Sequence, residues 1–122
     1  MQAHAGDLRA EVEQDWASLV GPAGPALPDG TGLDAFVHQA VRDWRALPIS
    51  PAVMALLAWA EKMTRSPAGC DASDIAALRE SGWGDEDIHD AAQVVSYFNY
   101  INRIADSLGV DPEPEFRNWG AA

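Results

Sequence analysis

Few residues of this chain have types and spacings suited to chemistry. His4, Asp7 and Glu11 fall on one helical face, a spacing that could ligate a metal ion. Three such residues close to a chain terminus read more simply as a solvated face. Cys70 is the only cysteine, so no disulfide and no dithiol cycle can form within one chain. It precedes Asp71, a candidate helix start. A helix N-terminus lowers a thiol pKa, while the neighbouring Asp71 and Asp74 oppose that effect. A peroxidase with a single cysteine would need an outside thiol to resolve it, and an ordinary free cysteine is the plainer reading. His38 sits off the nearest apolar stripe and is expected at the surface. His89 follows Asp85 by four residues, which allows a surface pair. Neither histidine belongs to a His-Glu-x-x-His pattern. No metal and no cofactor is expected.

The elements that would position these residues read as helices. Leu8, Val12, Trp16, Leu19 and Val20 recur at helical spacing and predict a helix over 3–20. Residues 21–32, Gly-Pro-Ala-Gly-Pro-Ala-Leu-Pro-Asp-Gly-Thr-Gly, predict a Pro/Gly-rich loop, since proline lacks the donor and glycine costs backbone entropy. Leu33, Phe36, Val37, Ala40, Val41 and Trp44 then mark an amphipathic helix over 33–45, and Pro48 ends the segment. Ser50 offers an N-cap, and Pro51 fits the first helical position. Val53, Leu56, Leu57, Ala60 and Met63 carry the next helix to about Arg65. Asp71 is a plausible cap for a short helix holding Ile75 and Leu78, stopped by Gly82. The last helix spans about Asp85 to Leu108 and closes at Gly109. Its middle, Val94-Val95-Ser96-Tyr97-Phe98, is apolar on most sides, as in helices buried centrally or at a subunit interface. Phe116 and Trp119 could dock the tail. No period-two pattern suggests a strand. The expectation is an all-α helical bundle with five helices, forming a single domain over 1–122.

The composition bounds the function classes. The chain has 122 residues, 48% of them hydrophobic, enough for one packed core. Its net charge of −11 disfavours nucleic acid and anionic membranes, since both need a basic face. The longest apolar run, Ala52 to Ala60, is nine residues and too short to span a bilayer. With no signal-peptide pattern visible, a cytoplasmic location is the default expectation.

Three linked segments carry a family resemblance. They are Ala55-Leu56-Leu57-Ala58-Trp59-Ala60-Glu61-Lys62-Met63-Thr64, Leu78-Arg79-Glu80-Ser81-Gly82-Trp83, and Asp85 to Val110 with its Phe98-Asn99-Tyr100-Ile101-Asn102-Arg103 centre. They resemble the C-terminal half of peroxidase-related proteins in the alkylhydroperoxidase D and carboxymuconolactone decarboxylase superfamily. The resemblance covers about residues 50–110. It implies a partial domain of that helical type. The family's active site is Cys-x-x-Cys-x-x-x-His on a helix. Met1-Gln2-Ala3-His4, continuing through Ala5 to Arg9, is similar to the stretch after the second cysteine of that motif. By this resemblance His4 is the catalytic histidine, and both redox cysteines, with the family's acidic relay residue, would lie upstream of Met1.

In that chemistry a thiolate attacks a peroxide oxygen to give a sulfenic acid, which a second thiol resolves as a disulfide. The histidine shuttles the proton. The resemblance thus implies a thiol-dependent hydroperoxide reductase, inactive as this chain because the cysteine pair is absent. Its partners would be a hydroperoxide, a thiol reductant and further copies of the chain in a homo-oligomer. The alternative is a non-catalytic helical oligomerisation module. Asn99, Asn102 and Arg103 are polar on a mostly apolar helix, and a hydrogen-bonded packing or subunit contact accounts for them more simply than a substrate contact. The five tryptophans read as core and interface residues.

Overall fold

The computed structural model describes residues 5–110. Among these it has five α-helices and no strand: α1 (Ala5–Val20), α2 (Gly30–Asp43), α3 (Pro51–Arg65), α4 (Ala72–Glu80) and α5 (Asp85–Leu108). Short 3-10 turns follow α2 at Trp44–Ala46 and α3 at Pro67–Gly69. The all-α expectation holds. The chain divides into two compact units, one containing Met1–Ser50 and the other spanning Pro51–Asp111.

The first unit is built on α1 and α2. Its core is Val12, Trp16, Val20, Leu33, Phe36 and Leu47, with Leu8, Leu19, Ala40, Trp44 and Ile49 packed against it. Trp16 meets Phe36 edge-on, with ring centroids 5.1 Å apart. The Trp16 indole N–H donates to the Pro25 carbonyl at 2.8 Å, tying the Pro/Gly-rich segment to α1. α1 is interrupted at Asp15, whose φ of −107° and ψ of 19° are not helical. Val37, fully buried, packs with Leu8 and Val41.

The expected loop over 21–32 is shorter than its composition suggests, because α2 begins at Gly30. The Asp29 carboxylate accepts from the Gly32 N–H at 2.8 Å and caps the helix. Glycine is also needed at this turn. A Cβ at Gly32 would lie 2.6 Å from the Cβ of Pro28. The local side-chain cap therefore offsets the low helix propensity of Gly-Thr-Gly, and the close approach of Pro28 accounts for glycine at position 32.

The second unit packs α3, α4 and α5 around Trp59, Leu78 and Ile88, with Ala55, Leu56, Met63, Ile75, Trp83, Ala91 and Ala92 against them. Pro51 opens α3 as expected. The buried face of α3 is centred on Trp59, whereas Val53, Leu57 and Ala60 are only half-buried. That displaces the core line from the stripe read in the sequence, because two helices, α4 and α5, pack against α3 and the large indole fills the space between them. The Trp83 indole donates to the Ala52 carbonyl at 2.8 Å.

Both helix stops expected at glycine occur. Gly82 and Gly109 have φ of +105° and +69°, and the residues after them donate back to Leu78 and Ala105 at 3.1 and 2.9 Å. These bonds satisfy carbonyls that the helix ends leave open, and only glycine adopts this backbone without strain.

Central burial of α5 is not observed. Only Ile88 is buried on that helix. Val94, Tyr97, Phe98, Tyr100, Ile101, Ile104 and Leu108 are exposed in the monomer. No described helix is long and apolar enough to cross a membrane.

Candidate functional site

Two polar constellations in the second unit bring candidate residues together. The first surrounds the start of α4. The Asp71 carboxylate accepts from the Ser73 N–H at 2.9 Å and from the Ser73 hydroxyl. Asp74 accepts from the Asp71 N–H at 3.0 Å, which completes a reciprocal capping box. Lys62 reaches across from α3 and donates to both Asp74 carboxylate oxygens at 2.9 and 3.0 Å.

These bonds favour the ionised forms. The Ser73 hydroxyl and N–H hold the Asp71 carboxyl below the usual range. The Asp71 N–H, then Lys62, do the same for Asp74. Asp74 in turn raises the Lys62 ammonium above its ordinary value. Ala55, Ala58, Trp59, Lys62, Asp74, Ala77 and Leu78 line an open cavity of about 280 Å³ beside this pair. Cys70, half-buried, precedes Asp71. Its N–H donates to Pro67 and closes the 3-10 turn. The arrangement secures a helix start and links α3 to α4. It supplies no second thiol.

The second constellation joins α3 to α5. The Asn99 amide donates to the Thr64 hydroxyl at 3.0 Å, and Arg103 donates to the Thr64 carbonyl at 3.1 Å. The Thr64 hydroxyl donates to the Ala60 carbonyl at 2.8 Å. The Ser96 hydroxyl lies 3.7 Å from the Met63 sulfur. Asn99 and Arg103 thus make a hydrogen-bonded helix packing, the leading reading of these residues. Asn102 is exposed. Thr64 was not distinguishable as the focus of this contact, because its partners lie 35 and 39 residues away in sequence.

The remaining candidates are dispersed. His4, the expected catalytic histidine, lies outside the described residues, as do Phe116 and Trp119. Asp7 and Glu11 are exposed, and no group of three or more His, Cys, Asp or Glu among the described residues is placed to hold a metal. His38 is half-buried rather than exposed, because its position borders the packed face of α2. Asp85 pairs with Arg79 at 2.6 Å, so the carboxylate expected opposite His89 is engaged by a stronger cation. No polar or charged residue among those described is buried. Trp16 and Trp59 are core residues, and Trp83 and Trp44 are half-buried, the latter under the Arg45 guanidinium at 4.3 Å.

Comparison with family models gives no match, and comparison with curated proteins gives none. Among solved structures, the crystal structure of an uncharacterized peroxidase-related protein from Silicibacter sp. TM1040 is similar, with a TM-score of 0.58 at 25% sequence identity. The similarity covers 98% of this chain and 62% of that one, so this chain spans less than two thirds of its neighbour. The likeness supports the peroxidase-related superfamily and nothing narrower.

Proposed function

We propose that this chain is the helical scaffold of a peroxidase-related oxidoreductase that reduces hydroperoxides through thiols. One observation carries the reading: the structural likeness to a peroxidase-related protein extends over 98% of the chain. In the proposed reaction a thiolate attacks one peroxide oxygen, the O–O bond breaks, and an alcohol leaves after taking a proton. The sulfenic acid so formed is attacked by a second thiol, water leaves, and a disulfide results. An external dithiol then reduces that disulfide. His4 is the proposed proton carrier. With Cys70 as its only cysteine, the 122-residue chain cannot run this cycle by itself. The cysteine pair would be supplied by sequence beyond the chain.

Hydroperoxide consumption with dithiothreitol tests the reading, comparing this chain with a version extended upstream in the genomic reading frame. Activity in the extended form alone, lost on His4→Ala, is the expected result. Activity in neither form would refute it. Activity in the short form, lost on Cys70→Ser, would replace it with a one-cysteine mechanism. A second reading, a non-catalytic helical module that assembles with itself, is favoured by the open apolar face of α5.

A further inference from the structure

The segment between α1 and α2 builds a groove that the peroxide chemistry does not use. It encloses about 690 Å³, within the range of small-molecule sites. One wall is a side of α1, with Glu13, Trp16, Ala17 and Val20. The other is the proline-rich segment, with Pro22, Pro25 and Leu27. This second wall is anchored to the first. Gly24 runs so close to α1 that a Cβ there would sit 2.4 Å from the Val20 Cβ. The Trp16 indole N–H holds the Pro25 carbonyl at 2.8 Å, and the Gly24 N–H donates to the Gly21 carbonyl at 3.0 Å. The prolines fix their own φ. Walls tied in this way need little ordering to accept a ligand.

The lining dictates what that ligand carries. Pro22 and Pro25 have no N–H to donate. The Trp16 indole N–H and the Gly21 N–H are spent on the carbonyls of Pro25 and Ala17. The Glu13 carboxylate only accepts, and the Gln14 side chain beside it adds a further acceptor. Arg9 stands 3.7 Å from Glu13 and is held more closely by Asp34, at 2.7 Å, while the Glu13 side chain is 54% exposed. Most of the remaining lining is hydrocarbon. Leu27, 51% exposed, is the one large apolar side chain left in solvent among the described residues of the first unit. An acceptor-rich end beside an apolar trough selects a molecule with a positive, hydrogen-bond-donating head and an apolar body. An anion would meet Glu13, few donors, and the field of a chain whose net charge is −11.

We infer that this groove binds a small organic ammonium ion, with its aromatic or aliphatic body between Ala17 and Leu27 and its amine on the Glu13 carboxylate. The site lies wholly in the first unit and holds whether or not the peroxide chemistry does.

Titration of the 122-residue chain with phenethylammonium, followed by calorimetry and amide NMR, tests it, with hydrocinnamate as an anion of similar shape. The expected result is saturable binding with a dissociation constant on the order of 1 mM, which about nine non-hydrogen atoms can supply. The amide shifts should be confined to residues 13–27, and hydrocinnamate should bind much more weakly. Glu13→Gln should weaken phenethylammonium about three- to fivefold, the worth of an exposed ion pair. Ala17→Phe, which fills the groove, should abolish binding. Both positions are exposed on α1, so neither change reaches the core, and helical circular dichroism should be unchanged. Absence of saturable binding would overturn the inference. So would equal binding of hydrocinnamate, amide shifts centred outside the groove, or binding left unchanged by either variant.

Discussion

Leu78 and Leu108 offer a matched pair for testing where the second unit keeps its core. Leu78 is 2% exposed and Leu108 is 73% exposed, and both lie on helices. Replacing either by alanine deletes the same atoms. At Leu78 the three lost carbons are worth about 2.4 kcal/mol at ~0.8 kcal/mol each. The space left against Trp59 and Ile88 adds a cavity contribution of about 1 kcal/mol for some 40 Å³ that cannot collapse. The adjoining open cavity lets some of that space fill with water, so a total of about 3 kcal/mol is expected. For a unit of this size that lowers the melting temperature by roughly 12–24 °C.

Leu108→Ala removes a side chain already in water and should stay within about 0.5 kcal/mol in the monomer. Any larger effect there should vanish on dilution, since it would come from association. Urea unfolding followed by tryptophan fluorescence measures both, because Trp59 touches Leu78. Equal effects for the two variants at low micromolar concentration would refute the assignment of the core.

Four further outcomes follow from the geometry. Asp71→Ala should destabilise α4 and lower the urea midpoint, and Asp71→Asn should do so much less, since asparagine retains the capping acceptor. Asp71 and Asp74 have lowered carboxyl pKa values in the folded chain, so their stabilisation is present above the ordinary aspartate range and is lost as pH falls below it, while Lys62, raised, keeps its contribution until pH rises past the ordinary lysine range. An acid titration of α4 helicity should therefore show its loss at lower pH in the wild type than in Lys62→Met. Gly32→Ala should destabilise the first unit by 1 kcal/mol or more, on the order of a steric overpacking cost, because its Cβ would meet Pro28. Gly69→Ala, where an added Cβ would meet only an ordinary 3.8 Å contact, should be neutral or slightly stabilising, and thermal unfolding followed by circular dichroism checks both glycine variants.

Much of the fold was legible in the sequence because it is set locally. Proline at position 51, aspartate at position 71 and glycines at 82 and 109 carry their own backbone geometry or caps, and each marks a helix end where the chain pattern placed it. The stripe from Leu33 to Trp44 faces the core as its 3.6-residue period required, with Leu33, Phe36 and Val37 buried and Ala40, Val41 and Trp44 half-buried. The start of α2 was less legible. Its Gly-Thr-Gly turn is weak by propensity and is held by the Asp29 cap, while the nearness of Pro28 leaves no room for a side chain at Gly32.

The sequence by itself determined the set of helices, those of their ends that carry a proline, a capping aspartate or a glycine, and the absence of a second thiol, all properties of short segments or of composition. Only the tertiary structure decided that Trp59 is the buried centre of α3, that Thr64 gathers Asn99 and Arg103, and that Lys62 clasps Asp74. It also decided which side of α5 is outward. A helix with apolar residues around most of its circumference has no preferred buried face on its own. The choice comes from the packing of Ile88, Ala91 and Ala92 on Trp59 and Leu78, together with the hydrogen bonds of Asn99 and Arg103 to Thr64, which leave Val94, Tyr97, Ile101, Ile104 and Leu108 in the solvent.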